Sequence, residues 1–164
     1  MAKAVKPAEV KRTAKKAKPK KVVSSNTGTR TIKYEDKSPG QPGLLNIYNE
    51  LREILLQYVK GTIKVYADSG GQLQLYSKKD IEVRSKKLPE MYFAGLLVQK
   101  GYVGFYLMPV YTDGHLTSQI APELLKCLKG KSCFHIKKLD SVLKQQVQHA
   151  LQAGYGCFEK KGWV

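Results

Sequence analysis

The chain is poor in the residues that build redox and metal chemistry. It has three cysteines in 164 residues, Cys127, Cys133 and Cys157. The count is odd and no two are spaced C-x-x-C, so they read as reduced thiols of a cytosolic protein rather than a disulfide framework. The three histidines, His115, His135 and His149, share no ligand spacing with one another or with the cysteines. Cys133 and His135 offer at most two ligands on one strand face, whereas tetrahedral zinc needs four partners. No metal site and no cofactor are expected. Paired catalytic carboxylates are lacking, and no Ser or Cys has a base beside it in sequence. Triads assemble in space, so an enzyme is disfavoured rather than excluded, and no catalytic residue is assigned. Long apolar runs are missing too. The basic start leads into no apolar core of a signal peptide, and no segment reaches transmembrane length, so no membrane partner is expected.

Acidic residues are also scarce, 13 against 29 Lys and Arg, for a net charge of +16. An excess of that size favours anionic partners. It is unevenly placed. Residues 1–33 hold nine lysines and two arginines against Glu9 alone, a net +10, which leaves +6 for the other 131 residues. Residues 1–37 are rich in Lys, Ala, Pro, Ser and Thr and have too little apolar surface to offset the entropy of ordering. They read as a disordered basic tail ahead of a single domain at 38–164. Within the tail, Lys15, Lys16, Lys18, Lys20 and Lys21 form a basic block. Such a block grips nucleic-acid phosphates without regard to sequence, or else only keeps the chain soluble and sticks weakly to any polyanion.

The domain is organised around Tyr92–Met108, the longest nearly uncharged stretch. Two apolar runs joined by Lys100-Gly101 spell a β-hairpin in the middle of a sheet. With that loop, Gln99 faces Tyr102. One face then carries Tyr92, Ala94, Leu96, Val98, Val103, Phe105, Leu107 and Pro109, all apolar, and should meet helices. The other carries Phe93, Gly95, Leu97, Gln99, Tyr102, Gly104, Tyr106 and Met108. Gly95 should lie opposite Tyr106, and Leu97 opposite Gly104. Glycines inside strands mark either a close approach by a ligand or a space filled by a neighbouring ring. Phe93, Gly95, Gly104, Tyr106 and Met108 are therefore the candidate ligand face, with Gly95 expected to be filled by Tyr106 and Gly104 expected to be open.

Before the hairpin, Ser38–Gly43 is a turn-rich boundary, and Leu44–Val59 repeats apolar residues at helical spacing. Three short alternating segments, around Ile63–Ala67, Leu73–Leu75 and Ile81–Val83, read as half-buried antiparallel strands. After it, Tyr111–Gln119 reads as a loop. Pro122 opens a short helix that Gly130 closes, Lys131–Lys138 suits one more strand, and Asp140 suits the N-cap of a last helix ending at Gly154. The fold class is α+β, an antiparallel sheet of five or six strands with two or three helices packed on one face.

Gly130-Lys131-Ser132 does not complete a P-loop, since Leu125 stands where the motif needs its first glycine. Lys131, Ser132, His135, Lys137 and Lys138 do form a compact basic group, either an anion site or ordinary surface charge.

The strings M-Y-F-A-G-L-L-V-Q-K-G-Y-V-G-F-Y-L-M-P-V-Y and I-A-P-E-L-L-K-C-L-K-G-K-S-C-F-H-I-K-K-L-D resemble the YdhG-like family of small bacterial domains of unknown function. The resemblance spans roughly residues 44–155. It implies helices against an antiparallel sheet in a bacterial cytoplasmic protein, and it brings no catalytic residues. Some relatives carry an iron-chaperone label. That role needs an acidic surface of oxygen ligands, and this domain is net basic. The chain thus has three readings. The first is a non-enzymatic binding domain with a polyanion-contacting tail, nucleic acid being the favoured partner. The second is a small-molecule or anion-binding domain with the tail incidental. Iron handling is a distant third.

Overall fold

A computed structural model describes residues 34–83 and 85–164. The basic block Lys15–Lys21 lies outside the described residues. The described domain takes in four residues, 34–37, that composition alone places in the tail. The Tyr34 hydroxyl donates to the Val98 carbonyl at 3.0 Å, and Lys37 Nζ donates to Gln99 Oε1 at 3.0 Å.

Helix α1 runs Pro42–Leu56, with proline in its first turn, where the missing N–H costs nothing. It buries Tyr48, Leu51, Ile54 and Leu55. Strands β1 (Ile63–Ser69) and β2 (Gln72–Ser77) form a hairpin about Gly70-Gly71. The next two strands, β3 (Ile81–Val83) and β4 (Lys86–Leu88), pair only with each other. The segment Ile81–Val83 is thus a strand as expected, but of a separate two-stranded sheet. Strands β5 (Met91–Gln99) and β6 (Tyr102–Leu107) form the central hairpin, and Gly101 sits at φ 84°, in the left-handed region a two-residue turn requires.

Beyond β6 come three short helices, α2 (Met108–Thr112), α3 (Gly114–Thr117) and α4 (Pro122–Lys126). Most of the expected loop after Tyr111 is therefore helical. Pro109 has no N–H to give to the sheet, so β6 stops at Leu107 and the proline falls in the first turn of α2. Strands β7 (Leu128–Lys129) and β8 (Cys133–Ile136) and helix α5 (Ser141–Lys160) complete the domain. The main sheet has the order β1-β2-β5-β6-β8-β7, antiparallel throughout. Gly130 closes the β7–β8 turn rather than helix α4.

The central register is the expected one: Gln99 pairs with Tyr102, Val98 with Val103, Leu97 with Gly104 and Gly95 with Tyr106. Ala94, Leu96, Val98, Val103, Phe105 and Leu107 are fully buried beneath α1 and α5. A β-bulge alters the start of β5. Leu75 pairs with Ala94 and Tyr76 with Tyr92, so Phe93 is the extra residue. The extra residue reverses the alternation. Phe93 joins the helix side, fully buried against Tyr58, Tyr155 and Phe158, and Tyr92 joins the glycine side.

Asp140 caps α5 as its sequence position suggests, accepting from the Leu143 amide at 2.7 Å. The helix does not end at Gly154. There it crosses the end of β6, and a Cβ would meet Pro109 Cγ at 3.1 Å and Leu107 Cδ1 at 3.3 Å. The glycine admits a close crossing, and the helix continues to bury Cys157 and Phe158. Among the described residues no helix is long and apolar enough to cross a membrane.

Candidate functional site

The glycine side of the sheet is filled rather than grooved. The Tyr92 hydroxyl stands where a Cβ on Gly95 would be, and the Leu73 carbonyl oxygen lies 2.6 Å from the same point. Tyr106 leans along its own strand over Gly104, with Cε2 at 3.0 Å from the Cβ position. The space over Gly95 is thus filled by Tyr92 and not by Tyr106 as expected, while Tyr106 covers Gly104 and closes the opening expected there. Phe93 belongs to the opposite side of the sheet, and Met108 starts α2, half-buried. The five residues of the expected ligand face are not one surface. The tyrosines form a row instead: Tyr66 and Tyr76 rings are 4.8 Å apart, and Tyr76 and Tyr92 rings 5.1 Å. Burial drives the Tyr92 phenol far above its ordinary range, and burial with the neighbouring Cys133 thiol does the same to Tyr106. Neither is poised for proton transfer near neutrality.

The cysteines are equally quiescent. Burial raises Cys127 and Cys133, and burial together with Asp113 raises Cys157. Cys157 Sγ lies 3.2 Å from Asp113 Oδ2, donating to the carboxylate. A thiol held in its protonated form is a poor nucleophile and a poor metal ligand. Among the described residues, no group of three or more His, Cys, Asp or Glu side chains is placed to hold a metal ion.

The basic group expected at the start of β8 separates. Lys131, in the β7–β8 turn, leans over the Tyr111 ring at 5.2 Å. It borders a cleft of about 650 Å³ between Val110, Leu128 and Trp163. Ser132 serves the backbone, its carbonyl accepting from the Leu107 amide at 3.0 Å. His135 and Lys137 instead share a groove of about 520 Å³ with Lys126, Lys129 and Lys138.

That groove has a neighbour. The register places His135 opposite Gly104, one strand over from the central hairpin. Its imidazole stacks on Tyr102, with ring centres 3.9 Å apart and planes 14° from parallel. Tyr102 in turn lines a second groove, of about 560 Å³, with Lys37, Pro39, Lys100 and Gln99. Gln41 ties this second groove together. It donates to the Gln99 carbonyl at 3.2 Å and accepts from the Gly101 amide at 2.8 Å, pinning the approach to α1 against the β5–β6 turn. Two grooves thus meet at one aromatic stack.

Six exposed lysines surround the stack: Lys37, Lys100, Lys126, Lys129, Lys137 and Lys138. Lys126 is paired with Glu123 at 2.6 Å. The other five have no carboxylate within 4.0 Å among the described residues. Burial, then the Lys129 and Lys137 cations, hold the His135 imidazole below its ordinary value. The strip is an electropositive, partly aromatic surface able to take anionic oxygens at several points along its length. His135, Lys137 and Lys138 were visible in the sequence as members of a basic group. The lysines at 37, 100, 126 and 129 and the Tyr102 ring were not, because strand pairing on both sides of β8 and the packing of the approach to α1 bring them together. Comparison of the chain with family models, curated proteins and solved structures gives no match.

Proposed function

We propose that this chain is a non-enzymatic, YdhG-like binding domain that holds nucleic acid through phosphate contacts indifferent to sequence. The observation that carries the reading is the strip of six exposed lysines about the Tyr102–His135 stack, five of them without an acidic partner among the described residues. Lysine ammonium groups neutralise phosphates and release condensed counterions, which supplies affinity without base readout. Lys15, Lys16, Lys18, Lys20 and Lys21 would add a second grip from the basic segment ahead of the domain.

The test is titration of a labelled oligonucleotide at several salt concentrations with the full chain. Replacing Lys129, Lys137 and Lys138 together by Gln should weaken binding and flatten the plot of log affinity against log salt by about two to three units, since each lost contact removes about 0.7–0.9. Replacing the five lysines of the basic block should flatten it further and leave the melting temperature unchanged. Binding that ignores salt, or no binding at low salt, overturns the reading.

A second reading, a site for a small anion with an apolar body, has one observation of its own, the cleft where Lys131 leans over Tyr111. Trp163, the only tryptophan, lines it. Quenching of its fluorescence by an aromatic carboxylate, lost in Lys131→Gln, is the expected outcome for that site.

A further inference from the structure

Resting on the nucleic-acid reading, we propose that the strip selects single-stranded over double-stranded chains, with an unpaired base stacking against Tyr102 and the flanking phosphates held by lysines on either side.

Tyr102 is half-buried: it stacks on His135 and also lines the groove that holds Lys37 and Lys100. Its partner His135 lines the groove that holds Lys129, Lys137 and Lys138. The aromatic pair therefore sits at the junction of two cationic grooves. This is the arrangement that binding a single strand requires, a π-face for a base with positive charge along the backbone before and after it. A duplex cannot use it. Its bases are stacked on each other and present only their edges in the grooves, so a flat side chain meets none of their faces.

The pair is suited to the task electronically. The imidazole is held toward its neutral form by burial and by Lys129 and Lys137, so the stack adds a flat aromatic surface without a fixed charge of its own. The charge comes from the lysines, whose long stems let the ammonium groups track a flexible backbone. Neither element supplies a base-edge code, so the preference is for strandedness rather than for sequence.

The experiment uses the full-length protein and fluorescence anisotropy with a labelled thymidine oligonucleotide and a duplex of equal length. The single strand should bind more tightly. Tyr102→Leu should lower single-strand affinity about tenfold, and more than it lowers duplex affinity. Tyr102→Phe, which keeps the ring, should retain it. A readout independent of that variant is the His135 imidazole proton resonance, which should shift with the oligonucleotide as a base joins the stack. Equal or tighter duplex binding, an unchanged single-strand affinity in Tyr102→Leu, or a His135 resonance that does not move would overturn the stacking inference and leave the phosphate reading standing. Binding of neither nucleic acid would remove both.

Discussion

The Tyr106 ring lies against Gly104, two residues before it on the same strand, and Cε2 stands 3.0 Å from the point a Cβ would occupy. The space over this glycine is already in use. Gly104→Val therefore overpacks a filled site despite the good strand propensity of valine, at a cost of about 1–3 kcal/mol. Chemical denaturation should show the midpoint falling with the slope unchanged. A midpoint that stays or rises would mean that Tyr106 swings aside at no cost and that the face opens.

Leu107 is the last residue of β6, fully buried, and it touches the α5 crossing at Gly154. Leu107→Ala should cost about 2–5 kcal/mol, the range for a large side chain lost from a close-packed core. The same denaturation measurement checks it. A loss well under about 1 kcal/mol would show that α5 does not rest on this part of the sheet.

The central hairpin was legible because its signals are local. Lys100-Gly101 sets the turn, and the turn sets every pair from Gln99–Tyr102 outward. The reversal at Phe93 was not legible. It arises where Tyr76 pairs with Tyr92 and skips a residue, a choice made by the neighbouring strand. Gly154 misled for a similar reason. Alone it marks a helix end, and only the approach of Pro109 shows it to be a crossing point. The strip around Tyr102 lay further still from view. Its lysines come from the approach to α1, the β5–β6 turn, α4, β7 and the residues after β8, and no spacing in the chain announces that gathering.

At Asp140 sequence and structure agree. Its carboxylate accepts from the Leu143 amide and meets the positive end of a 20-residue helix. Asp140→Ala should destabilise the protein by about 1 kcal/mol, and Asp140→Ser or Asp140→Asn should recover most of the loss. A melting temperature equal to that of the parent in Asp140→Ala would show that water serves this helix end equally well.

His135 should make both stability and binding depend on pH. Burial, Lys129 on β7 and Lys137 just after β8 all disfavour its imidazolium form, and the ring also packs on Tyr102 of β6, with Lys126 and Lys138 in the same groove. The folded protein therefore binds this proton less readily than the unfolded chain. The stability contribution of His135 is full above the ordinary histidine value of about 6.5 and declines as pH falls through that value toward the lower folded one. On the proposed nucleic-acid reading, a phosphate chain in the groove would reverse the balance, because its negative charge favours the imidazolium. By linkage, affinity for the oligonucleotide should then rise as pH is lowered from about 7 to about 5. In His135→Gln that rise should shrink, since the variant keeps a polar side chain at the position and cannot titrate. Affinities measured across this range in parent and variant decide the matter. Parallel pH profiles would show that the phosphates lie away from His135 and that the two grooves are not used together.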